Sequence, residues 1–261
     1  PATHMLISAI ELQEWLLRFV GAFARVGAAM MVAPIFGAGL VAMRIRLVAA
    51  ALVTVLVMTA LPAATAPVEP LGPLQLFKEV MLGAAIGFVV QTAFDVLVMA
   101  GQVIGLSMGL GFANLIDPQH GVTVPVIGQL YLLLALLIFV TINGHIAFIE
   151  LLAGSFKAMP VGSAMLDERN LATLIAWGGR VFSGGLQVAL PAVVAMTVVN
   201  VAFGVMSRAA PQLNLFGVGF PITIILGFMT LWMSLESLAP TFGAILDEAL
   251  DIAGALAQGA G

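Results

Sequence analysis

Apolar runs close to or beyond the length of a bilayer crossing succeed one another along this chain, and they restrict it to few architectures. They cover about Ser8 to Ala33, Leu47 to Leu61, Leu74 to Met108, Val126 to Ile142, Leu171 to Met206 and Leu215 to Leu238. A helix needs about 20 predominantly apolar residues to cross hydrocarbon. The polar residues are correspondingly few: 62% of the chain is hydrophobic and 8% charged, against roughly 25% charged in a soluble domain. This pattern predicts a membrane protein. With so few charges, the formal net value of −4 says little about nucleic acid, and no basic run suggests it as a partner. With no cysteine in the chain, disulfides, thiolate metal sites and thiol nucleophiles are excluded.

Taken in order, the first run opens on a Ser8-x-x-Glu11 capping box flanked by Ile7 and Leu12. It stops at Ala33-Pro34, because proline disfavours helix at the residue before it. Residues Pro1 to His4 differ in character from the apolar run after them, and Met5 is the expected natural start. Arg18 and Arg25 lie seven apart and therefore near one face. Arg18 suits snorkelling near a helix end, whereas Arg25 is expected to face a partner inside the bundle. Arg44 and Arg46 make their loop cytoplasmic by the positive-inside rule. Arg208 falls on the same side if all the runs cross, and Lys157 and Arg169 fall on the other.

The third run is too long for one simple crossing and must tilt or extend beyond the bilayer. Gly83 and Gly87, then Gly101, Gly105 and Gly109, repeat at four-residue spacing, which lets helix backbones approach closely. Gln91, Asp95 and Gln102 share another face, so this helix is expected to have protein on two sides. Asn143, Gly144, His145 and Glu150 interrupt the fourth run while its helical pattern continues. His145 and Glu150 are five apart, a spacing that suits a structural role better than a proton relay. Pro191 should kink the fifth run. Beyond Pro240 an amphipathic helix is expected, with Phe242, Ile245, Leu246, Ala249, Leu250 and Ala253 on one face and Asp247, Glu248 and Asp251 elsewhere.

Between the third and fourth runs lies Gly105 to Pro125, rich in glycine and carrying Asn114, Asp117, Pro118, Gln119 and His120. Irregular backbone beside membrane spans persists only where it is buried in protein, lines an aqueous cavity or emerges into water. It reads either as a surface loop or as a re-entrant, pore-occluding loop. No catalytic constellation accompanies it: the histidines have no ligand spacing, and H-E-x-x-H, Walker and nucleophile-elbow patterns are absent. No enzyme activity, metal or cofactor is expected.

Several segments together resemble the FliR/SctT family of type III export gate subunits. They are Ala33-Pro34-Ile35-Phe36-Gly37 with Arg44 and Arg46, Ile116-Asp117-Pro118-Gln119, Asn143-Gly144-His145, and Ser207 to Pro221 with its Pro211-Gln212-Leu213-Asn214 and Gly219-Phe220-Pro221. The resemblance covers about Leu6 to Leu256. The injectisome branch shares Pro-Gln-Leu-Asn, but Phe-Gly-Val-Gly-Phe-Pro looks more flagellar. An injectisome gate subunit and an independent secondary transporter using Asp95, His145 and Glu150 are the alternatives.

The resemblance implies an all-α, membrane-associated fold of about six long hydrophobic helices in hairpins, forming one domain over residues 1–261. It implies assembly with FliP and FliQ around a narrow pore in the bacterial inner membrane, at the flagellar basal body near FlhA and FlhB. That assembly stands partly out of the membrane, and unfolded rod, hook and filament subunits pass through it. A loop matching Leu106 to Val122 would plug the pore. Met108, Gly109, Leu110, Gly111, Phe112, Asn114, Leu115 and Ile116 would close it, and Asp117, Pro118 and Gly121 would turn the chain back. Arg25, Gln91, Asp95, Gln102, Arg208, Pro211 and Asn214 are the expected polar and packing residues of the complex. Glycine supplies unobstructed backbone, and soft apolar side chains can close a constriction by dewetting.

Overall fold

Helix after helix is laid down along the apolar runs, and the computed structural model describes residues 9–34, 41–61, 65, 71–112, 126–209 and 215–258. The described helices are α1 (Ala9–Val32), α2 (Met43–Ala60), α3 (Pro73–Ser107), α4 (Val126–Thr141), α5 (Gly144–Ala158), α6 (Glu168–Gly178), α7 (Arg180–Ala209) and α8 (Leu215–Gln258), with a 3-10 turn at Leu110–Phe112. Among the described residues, five stretches are long and apolar enough to cross a membrane, or up to six if the broken pair α4 and α5 counts as one span. The chain is an all-α membrane protein. Ser8 of the expected capping box lies outside the described residues.

The third run is one helix to Ser107, as its apolar pattern to Met108 predicts. Three local features depart from the sequence pattern, each for a physical reason. The fifth run is two helices: Asp167 caps α6 by accepting the Asn170 N–H at 2.7 Å, and Gly179 separates α6 from α7. Between α4 and α5, Asn143 adopts a left-handed φ of 58°, a conformation Asn tolerates better than most residues. Pro240 does not end the last helix. It lies inside α8, where Leu238 and Phe242, both buried, hold the helix on either side of the lost hydrogen bond. The expected face beyond it is present, with Phe242, Ile245, Leu246, Ala249 and Ala253 buried and Asp247, Glu248 and Asp251 exposed.

The chain divides into two units, residues 1–91, 143–177 and 247–261 in the first and residues 92–142 and 178–246 in the second. In the first, α2 packs on α1 through a stripe that buries Ala50, Thr54, Val57 and Met58. The Thr54 hydroxyl is satisfied inside its own helix by donating to the Ala50 carbonyl at 2.7 Å. The first half of α3 lies so close to α1 that a Cβ on Gly83 would overlap the Arg25 carbonyl, and one on Gly87 would sit 2.5 Å from the Ala29 carbonyl oxygen. Trp177 is buried and donates its indole N–H to the Val89 carbonyl at 3.0 Å.

In the second unit Phe94 meets Phe139 and Phe242 edge-on, with ring centroids 5.3 and 5.1 Å away. Gly101 lets the backbone of α3 reach Ile127 and Gly128 of α4, and Gly185 of α7 fits against Met99. Helix α3 contributes to both units, and two-thirds of its most apolar window (67%) is buried, against 17% for the stretch holding α6 and α7 and 22% for α8. A helix that is apolar all round belongs inside a protein or a membrane.

The close approach predicts a test of packing. Gly83→Ala has no flexible side chain to displace, only backbone, and should cost about 1–3 kcal/mol as an overpacked core does. Gly154→Ala on α5, where an added methyl meets nothing within 4 Å, should be neutral or stabilising by up to about 1 kcal/mol. Thermal unfolding of the purified chain in detergent compares the two.

Candidate functional site

Arg25 is fully buried, and its guanidinium organises the first unit. Nε donates to Glu79 Oε2 at 2.7 Å, and Nη1 donates to the Ser155 carbonyl at 3.0 Å and to Ser155 Oγ at 3.2 Å. The Phe156 ring lies 4.2 Å from its Cζ, a cation–π contact. Glu79, equally buried, uses its other oxygen to accept the Gly162 N–H at 2.8 Å. Gly162 has φ 90°, a conformation only glycine adopts without strain, and so presents its N–H to the carboxylate. One ion pair thus ties α1, α3, α5 and the turn after α5 together. Nη2 has no hydrogen-bond partner among the described residues.

The end of α3 is the other candidate. Met108 is buried, its N–H still bonded to the Ile104 carbonyl at 3.0 Å, and Gly109 comes next with φ 81°. That left-handed residue ends the helix as a glycine C-cap does, and the 3-10 turn Leu110–Phe112 continues the chain. Leu110 and Gly111 are half-buried. Asn200 of α7 donates to the Ser107 carbonyl at 3.3 Å.

Sequence comparison places this architecture. The profile of the bacterial export proteins, family 1, matches residues 16–249. The flagellar biosynthetic protein FliR of Pectobacterium carotovorum subsp. carotovorum is 35% identical over 243 residues, 93% of each chain. That of Escherichia coli K12 is 36% identical over 228 residues, 87% of each, and that of Aquifex aeolicus 28% over 232 residues, 88% of this chain and 89% of its own. The chain belongs to the bacterial export proteins, family 1.

Within this FliR family member, the residues singled out from sequence fall into four groups. Arg25 has the buried partner expected of it. Gln91, Asp95 and Gln102 are half-buried on α3, and Arg208 is exposed in the last turn of α7. Asn114, Leu115, Ile116, Asp117, Pro118, Gly121, Pro211 and Asn214 lie outside the described residues. His145 is half-buried with Nδ1 unpartnered among the described residues, whereas Glu150 is exposed. Among the described residues no group of three or more His, Cys, Asp or Glu is placed to hold a metal ion.

Sequence reasoning missed Glu79, Ser155 and Gly162. Glu79 carried a usable signal, since an acid inside a long apolar run needs a partner as much as Arg25 does. Ser155 and Gly162 carried none.

The ion pair makes a quantitative prediction. Glu79→Ala strands a buried guanidinium and should cost about 3–5 kcal/mol, while an apolar double replacement such as Arg25→Leu with Glu79→Leu should recover most of that loss. A double-mutant cycle on unfolding in detergent reads the coupling.

Proposed function

We propose that this chain is a structural, non-catalytic subunit of the flagellar type III protein export gate. In this reading it joins FliP and FliQ around a pore in the bacterial inner membrane, next to FlhA and FlhB, as a single export-gate domain. Unfolded rod, hook and filament subunits cross through that pore. The observation that carries the reading is similarity over nearly the whole chain to relatives named flagellar biosynthetic protein FliR, at 35% and 36% identity. The low burial of α7 and α8 supports it, since those helices leave most of their apolar surface for other molecules.

In the same reading the residues from Gly109 to Ile116 close the pore at rest, and Asp117, Pro118 and Gly121 return the chain to α4. The described start of this stretch supports the reading: Gly109, with a φ of 81° that few other residues accept, follows the most buried of the long helices. Arg25 holds the subunit's own fold, while Gln91, Asp95, Gln102, Arg208, Pro211 and Asn214 supply contacts within the complex.

Purification in mild detergent from the native membrane should recover the chain with two other small hydrophobic proteins. Recovery as a lone, active carrier of a small solute would overturn the reading. Removing Gly109 to Phe112 should make the resting membrane leak ions several-fold more while leaving complex recovery intact, measured as vesicle conductance and as co-purified protein.

A further inference from the structure

Within the second unit, Ser107 and Met108 are held from two sides. Gly227, in the interior of α8, leaves room on its face that Met108 fills: a Cβ there would lie 2.5 Å from Met108 Cγ and Cε and 2.8 Å from its Sδ. Glycine inside a helix is disfavoured against alanine by about 1 kcal/mol, so this position favours a seated thioether over helix propensity. The other side is Asn200, whose side-chain amide donates to the Ser107 carbonyl at 3.3 Å. Carbonyls of a last helical turn have no partner within the helix, and here one is supplied by α7.

Immediately beyond this seat the chain changes character. Gly109 turns with φ 81°, its N–H bonded to the Leu106 carbonyl at 3.0 Å. The 3-10 turn then folds back far enough that a Cβ on Gly111 would sit 2.8 Å from Leu106 Cδ2. Leu110 and Gly111 thus follow directly from the end of the helix, where Ser107 and Met108 are held.

We propose that Met108, seated on Gly227 and backed by the Asn200 to Ser107 hydrogen bond, is a positioning residue that holds the pore-closing turn at rest, not a closing residue itself. This rests on the reading of residues 109–112 as pore-closing. A methionine suits the task, because its unbranched, adaptable side chain fills an irregular notch. Gly227→Ala improves helix propensity while forcing the Met108 side chain to shift, so its effect is separable from loss of the helix. Gly243→Ala on the same helix is the control, since a methyl there meets nothing within 4 Å.

The test uses the complex purified from its membrane and reconstituted in vesicles, with two readouts. Amide hydrogen exchange at residues 106–112 should accelerate about tenfold in Gly227→Ala, as a tenfold larger open population requires, and less in Asn200→Ala, with no change in Gly243→Ala. Resting ion conductance should rise in the same order, with co-purified partners unchanged. Unaltered exchange in both Gly227→Ala and Asn200→Ala overturns the seat. Faster exchange without added conductance, while removal of 109–112 does leak, overturns the holding role and leaves the pore reading standing. No leak on removal of 109–112 overturns the pore reading, and the holding role with it, whatever the exchange shows.

Discussion

A guanidinium and a carboxylate can share a dry interior only if nearly every hydrogen and lone pair they bring is answered, because each ion costs several kcal/mol to remove from water. Arg25 and Glu79 meet most of that demand with one charged contact, two bonds to Ser155, a backbone N–H from Gly162 and the face of Phe156, leaving Nη2 without a hydrogen-bond partner among the described residues. Such a set has one geometry. Apolar side chains on α1 could slide by a fraction of a turn and still bury their area, but the pair fixes the rotation of α1 about its own axis. The backbone carbonyl of the same Arg25 lies against Gly83, so one residue sets both the rotation and the close approach of α1 and α3.

Close approach is the second constraint, and it has a reason particular to apolar surroundings. Lipid tails are as apolar as leucine, so helices gain little from hiding leucine from them and associate through tight packing and hydrogen bonds instead. The glycines of α3 serve that end at separate points: Gly83 and Gly87 admit α1, and Gly101 admits α4. Gly185 does the same for α7 against α3. The helix with most of these contacts is the most buried of the long helices, and the order comes from the packing mechanism rather than from hydropathy, which α7 matches.

Legibility in the sequence tracks the range of the forces involved. Helix existence, the glycine seam of α3, the apolar face at the end of α8 and the buried partner of Arg25 were all readable, because they depend on local periodicity or on the cost of a charge in lipid. Helix breaks were less so. Pro240 reads as a stop by local rules, yet contacts at Leu238 and Phe242 from elsewhere in the fold carry the helix past it. Glu79 as the partner of Arg25, and Gly227 as the seat of Met108, depend on residues 54 and 119 positions apart, and no periodicity links them. In the candidate site, the apolar run to Met108 foretold helix as far as Ser107, where Ile127 packs beside Gly105, but not the left-handed turn at Gly109 that ends it.

The exposed apolar faces raise the question of what surrounds them, and their few polar groups narrow it. On these faces Thr141, Thr197, Ser207 and Thr223 each donate to a carbonyl three or four residues back, at 2.7 to 2.8 Å. Their hydroxyls therefore ask nothing of a neighbour. From Thr197 to Ala209 no residue of α7 is buried, and Gly204 there has open space where a side chain would stand. A surface so satisfied is compatible with lipid and with another subunit's helices alike, and chemistry does not separate them. Shape does: lipid tails fill any smooth apolar face, while a notch such as that at Gly204 is filled fully only by a helix whose own side chain matches it, which is how small residues favour helix neighbours over lipid.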